Sequence, residues 1–158
     1  MFPQSVFPDS AEINSQGELV LGGCKTSDLA DEYGTPVYVL DEDTLRARCR
    51  SFIYEFRKLY PATNVSYACK AYINPALAKM FQEEGMGFDV VSGGELATTV
   101  NAQIPMDEVY FHGNNKTPQE LSEALENSIG WVVVDSFHEM QLLDKLAGEA
   151  SKKQDILI

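Results

Sequence analysis

The sequence predicts an α/β protein built on a parallel sheet, with a helix following each strand. Three observations carry this. From Asn64 onward, short apolar runs alternate with segments whose apolar residues recur at three and four positions. The strands are apolar along their whole length, as strands covered on both faces are. The polar, chemistry-bearing residues gather just after the strands, where parallel sheets bind their ligands. No Gly-x-Gly-x-x-Gly follows the first strand of the repeat, so dinucleotide binding is not indicated. An open doubly wound sheet and a (β/α)8 barrel both satisfy these observations.

Residues 1–16 are polar, contain proline and read as a loose lead-in. Gly17 to Gly23 reads as a short strand, and Thr26 to Tyr33 as a small helix stopped by Gly34. Pro36 to Leu40 reads as a second short strand. Asp41 then caps a long helix whose apolar stripe runs through Leu45, Cys49, Phe52, Ile53, Phe56 and Leu59.

The repeating unit begins at Asn64. A strand over 64–70 precedes a helix with Asn74 as its cap, Pro75 in its first turn and Gly85 beyond its end. Gly87 to Ser92 is the next strand, followed by a helix through Leu96 and Val100. Asp107 to His112 is the third, followed by a helix from Thr117 to about Asn127. Trp131 to Asp135 is the fourth, followed by a long helix through Met140, Leu143 and Leu146. A fifth strand starts at Asp155.

The strand ends therefore present Lys70, then Ser92-Gly93-Gly94-Glu95, then His112-Gly113-Asn114-Asn115-Lys116, then Asp135-Ser136. Strand alternation puts Ser66, Ala68 and Lys70 on one face, so the lysine stands above small side chains that leave room for a flat group. A lysine amine partly shielded from water loses its proton near neutral pH and can form an imine with an aldehyde, although a strand-end lysine ordinarily snorkels to solvent. Asp89 lies on the strand face opposite Phe88 and Val90. A carboxylate there needs a cationic or hydrogen-bonding partner, and Lys70 is near enough in the order of strands to supply one. Ser92 with Glu95, Thr117 with Glu120, and Ser136 with Glu139 have capping-box spacing, and capping is the expected role of these residues. Gly93-Gly94 in a first helical turn fits either close packing or the close approach of a ligand.

The 158 residues are 44% hydrophobic, enough for one ordinary core, and carry a net charge of −12 with no cluster of Lys or Arg. That argues against nucleic acid and anionic membranes as partners. The N-terminus shows no basic region and no long apolar run, so neither a signal peptide nor a membrane span is expected. Cys24, Cys49 and Cys69 are odd in number and widely spaced, which reads as free thiols in a reducing cytoplasm, without a disulfide framework or a metal site.

Tyr67-Ala68-Cys69-Lys70-Ala71, Asp89-Val90-Val91-Ser92-Gly93-Gly94-Glu95-Leu96, Phe111-His112-Gly113-Asn114-Asn115-Lys116 and Val134-Asp135-Ser136 together resemble the pyridoxal-phosphate-dependent diaminopimelate decarboxylases. These belong to the wider group that includes ornithine and arginine decarboxylases. The first two motifs mark the wider group, and Phe-His-Gly-Asn-Asn-Lys favours the diaminopimelate branch. The order and spacing of the motifs match over residues 17–158, and Tyr72 departs by standing where many relatives carry Asn. The resemblance implies the N-terminal part of a pyridoxal-phosphate-binding (β/α)8 TIM-type barrel, with residues 1–36 belonging to a β-domain and residues 37–158 forming the first half of the barrel. It implies that Lys70 is the catalytic residue and bonds pyridoxal 5'-phosphate through its amine, with Asp89, Ala68 and His112 also binding the cofactor. It further implies decarboxylation of meso-2,6-diaminopimelate to L-lysine, a cytoplasmic homodimer and an amino-acid substrate. Other amino-acid decarboxylases of the same barrel, or a non-catalytic cofactor-binding relative, are the alternatives. Family members are about twice this length or more, so the chain reads as an N-terminal fragment, inactive alone. The phosphate loop and the acid facing the pyridine nitrogen are then expected in later strands.

Overall fold

The computed structural model describes residues 6–158, which divide into two compact units, one ending at Leu59 and the other beginning at Tyr60. The first unit holds a small antiparallel sheet in the order β1 (Glu12–Ile13), β2 (Leu19–Leu21), β3 (Cys24–Lys25). β2 and β3 are joined by Gly22 and Gly23, both at positive φ (56° and 79°), which is the backbone that a two-residue hairpin demands and that side chains resist. Helix α1 (Thr26–Tyr33) follows and stops at Gly34, as expected. Helix α2 (Glu42–Leu59) starts where Asp41 Oδ1 accepts from the Thr44 backbone N–H at 2.8 Å, and the hydroxyl of Ser10 donates to the other carboxylate oxygen at 2.6 Å.

Two expectations fail in this unit. Pro36–Leu40 forms no strand, because an extended segment becomes one only when a neighbour completes its ladder, and no described strand pairs with it. Part of the lead-in does become β1, which finds its partner in Val20 and Leu19. The apolar stripe of α2 is present, but only Cys49 on that helix is buried; Phe52, Phe56 and Leu59 are exposed.

The second unit is a five-stranded parallel sheet in sequence order: β4 (Ser66–Ala68), β5 (Gly87–Val90), β6 (Val109–Phe111), β7 (Trp131–Val133) and β8 (Asp155–Leu157). Each connection carries a helix: α3 (Pro75–Glu83), α4 (Gly93–Asn101), α5 (Pro118–Glu126) and α6 (Phe137–Glu149). Asn74, Ser92, Thr117 and Ser136 each accept the backbone N–H three residues on, so the four helix starts legible in the sequence are real caps.

Strand alternation separates the two faces of the sheet. Phe88, Val90, Val109, Phe111 and Val132 point to the helices and are fully buried with Leu96, Leu121 and Ala124. A buried Phe or Leu contributes about 1.5–3 kcal/mol by leaving water, so this dry layer holds the sheet to its helices. The other face carries Ala68, Asp89, Tyr110, Trp131 and Asp155, which stand level with one another along the ladders. One face of the sheet is thus packed on helices and the other is lined by polar and aromatic groups.

Candidate cofactor site at the strand ends

β4 ends at Ala68, earlier than the sequence indicates, and Lys70 lies in the single 3₁₀ turn Cys69–Ala71 that follows. Strand alternation therefore no longer dictates where its side chain points. Lys70 is exposed in the turn just past the edge strand of the sheet, and among the described residues its amine has no hydrogen-bond or ion-pair partner.

Asp89, two strand positions past Gly87, is level with Ala68 on one side and Tyr110 on the other. His112 lies two residues beyond Tyr110 and so returns to the same face, where its Nδ1 meets Asp89 Oδ1 at 2.5 Å. The expected partnership of Asp89 with Lys70 is thus replaced by one with His112. The cause is local: the 3₁₀ turn carries Lys70 off the ladder, whereas the backbone N–H of His112 still donates to Val90 O at 2.8 Å and keeps the ring over the sheet face. With Nδ1 turned to the carboxylate, Nε2 is the nitrogen left to face a ligand. Farther along this face Tyr110 and Trp131 stack, their centroids 6.3 Å apart and their planes 10° from parallel.

Cys69, beside the lysine, points to the helices. Burial, reinforced by the charges of Glu95 and Asp89, pushes its thiol up to about 12, so it stays protonated and unreactive.

Only one of the three expected capping boxes closes completely. Thr117 and Glu120 exchange both bonds, and Glu120 also accepts from Gly93 N–H at 2.8 Å. A methyl group at Gly93 would press on the Glu120 side chain at 3.1 Å, whereas one at Gly94 would meet nothing closer than Ser92 Oγ at 3.9 Å, an ordinary contact. Close packing therefore accounts for Gly93 alone. Glu95 reaches past its cap to accept from Val91 N–H at 2.9 Å.

Glu139 departs furthest from expectation. Its Oε1 lies 2.9 Å from the amine of Lys116, and the two side chains are 9% and 1% exposed. The lysine protons are aimed elsewhere, at the carbonyls of Gly113 (2.5 Å) and Val133 (2.9 Å), so the carboxylate contact is ionic and not an aligned hydrogen bond. The amine also sits 5.8 Å from the ring centroid of Phe111. From the sequence, Lys116 reads as part of a polar turn. The available signal was its position after Gly-Asn-Asn, where a long side chain can fold back beneath its own loop.

An exposed lysine amine with no partner among the described residues can condense with an aldehyde, and Asp89 and His112 at the same end of the sheet carry the polar groups that a flat heteroaromatic ring would meet. The residues present therefore fit pyridoxal phosphate. The pyridoxal-binding domain of the pyridoxal-dependent decarboxylases matches residues 43–158, and the chain belongs to that family. Within it, the chain is 44% identical over 152 residues to the diaminopimelate decarboxylase of Bacillus methanolicus, covering 96% of this chain and 35% of that one. It is 42% identical over 154 residues to the diaminopimelate decarboxylase of Mycobacterium leprae, covering 98% and 32%. The crystal structure of the M. jannaschii diaminopimelate decarboxylase in complex with L-lysine superposes with a TM-score of 0.84 at 32% identity, over 94% of this chain and 35% of the other. The chain thus spans about a third of the length of the curated relatives it matches. No helix among the described residues is long and apolar enough to cross a membrane.

Proposed function

We propose that the intact protein is a pyridoxal-phosphate-dependent carboxy-lyase that converts meso-2,6-diaminopimelate to L-lysine and carbon dioxide. The observation that carries this is the unpaired Lys70 amine at the rim that also holds Asp89 and His112, in a chain whose relatives are diaminopimelate decarboxylases. When bound, pyridoxal phosphate supplies an electron sink for the pair of electrons left at the substrate carbon when carbon dioxide departs. The protein's own residues do the rest. Lys70 would hold the cofactor through its amine, and the same amine is the group able to carry a proton to the substrate carbon. Asp89 fixes the tautomer of His112, and His112 offers Nε2 to the ligand. Ala68 keeps the space between them open.

Residues 1–36, of which 1–5 lie outside the described residues, then belong to a β-domain and residues 37–158 to the first half of the barrel. The working protein is a cytoplasmic homodimer acting on a free amino acid. The test treats the full-length protein with pyridoxal phosphate and borohydride and maps the fixed adduct by mass spectrometry. Labelling at Lys70 is expected, with turnover of meso-diaminopimelate but not of ornithine or arginine. An adduct confined to other lysines would remove the assignment.

A further inference from the structure

Burying a lysine and a glutamate costs several kcal/mol per ion in desolvation, and a hydrophobic pair of similar volume is often at least as stable. Lys116 and Glu139 are nevertheless 1% and 9% exposed, beneath a rim whose working groups are elsewhere. What an apolar pair could not do is hold carbonyl groups. The Lys116 amine binds two, Gly113 O in its own turn and Val133 O at the end of β7, while Glu139 ties it to the first turn of α6. One ammonium group thus fastens the ends of β6 and β7 to the first turn of α6.

Gly113 is the residue directly after His112. Its φ is +119°, and a Cβ there would meet Val91 O at 3.2 Å, so the turn is pressed against the end of β5 as well. The direction of the His112 ring depends on this backbone, and the backbone is held by the Lys116 contact to Gly113 O. We infer that Lys116, braced by Glu139, is a positioning residue that holds the imidazole of His112 on Asp89. The consequence for cofactor chemistry rests on the function proposed above; the geometric part does not.

The experiment uses the full-length protein with ¹⁵N-labelled histidine, the His112 signal being assigned by its loss in His112→Gln. In the parent, the ring nitrogens should report the Nδ1–H tautomer that a carboxylate at Nδ1 imposes. Lys116→Met leaves Glu139 buried without its counter-charge and can fail to fold, so the deciding variant is the double replacement Lys116→Met/Glu139→Leu, which removes both charges. It is expected to keep the parent's circular dichroism and melting temperature, yet lose the Nδ1–H signature. It should also bind pyridoxal phosphate about tenfold more weakly and lose on the order of 100-fold in kcat with a smaller change in KM, as displaced catalytic groups do. A double variant that regains both stability and the His112 signature would show the pair to be structural only and overturn the inference. So would one that cannot fold, since the contacts would then carry the whole unit and not one ring. If the parent gives no borohydride adduct at Lys70 but its His112 still responds, the cofactor reading falls and the positioning role stands.

Discussion

Replacing Gly130 by alanine adds one methyl group, yet the structure assigns it a large penalty. Gly130 precedes β7 and donates its N–H to Met106 O at 2.8 Å, which brings the two backbones together. A Cβ there would lie 2.2 Å from Asp107 O and 2.9 Å from its carbonyl carbon. Ordinary contact begins near 3.4 Å, so the two backbone segments would have to part by more than an ångström, and no side chain can rotate out of the way. Overpacking in a well-packed interior costs about 1–3 kcal/mol, and a backbone clash belongs at the upper end. Gly94→Ala is the control. It is the same chemical change, but in helix α4 with nothing closer than Ser92 Oγ at 3.9 Å, so it should stabilise by about 0.5–1 kcal/mol. Urea unfolding of both variants at constant m-value reads the two signs directly. A Gly130→Ala protein as stable as the parent would mean that the approach of β7 to the Met106–Glu108 turn is not as described.

The carboxyl of Glu120 is held below its ordinary value of 4.5, first by the Thr117 backbone N–H and then by that of Gly93. Its contribution to stability is therefore complete above that ordinary value and lost as pH falls through the lowered one; Glu120→Gln should be less stable than the parent near pH 6, with the gap closing toward pH 3, by urea midpoints across that range. If the gap is the same at both ends, the cap does not depend on the charge. Thr117→Ala removes the other half of the box and should cost about 1 kcal/mol in the same assay. Among the three cysteines, iodoacetamide should modify Cys24 quickly and Cys49 and Cys69 only on unfolding, because Cys24 alone is exposed; rapid labelling of Cys69 in the native protein would contradict the burial described for it.

Much of this architecture was legible because local signals and tertiary need agree. Asn74, Ser92, Thr117 and Ser136 mark helix starts by a bond that reaches only three residues, and periodicity of two put Asp89 on the face opposite Phe88 and Val90. Failures came where a partner distant in sequence decides. Pro36–Leu40 has the composition of a strand but no described neighbour, and the exposed stripe of α2 has the pattern of a covered one. The same holds at the site. Lys70 was recognised by its residue neighbours, while the exchange of Lys70 for His112 at Asp89 depends on where β4 ends. Lys116 and Glu139 are 23 positions apart, and only the folding of a turn over a strand end joins them.

The stacked pair on the sheet face gives the protein a built-in lamp. Trp131 is the only tryptophan in the sequence, and two strand spacings of about 4.8 Å separate it from Asp89 along the level of the ladder. Any near-ultraviolet absorber that settles over that carboxylate will drain the indole's emission across this short gap. Binding can thus be followed by quenching, without a label and before any turnover is measured.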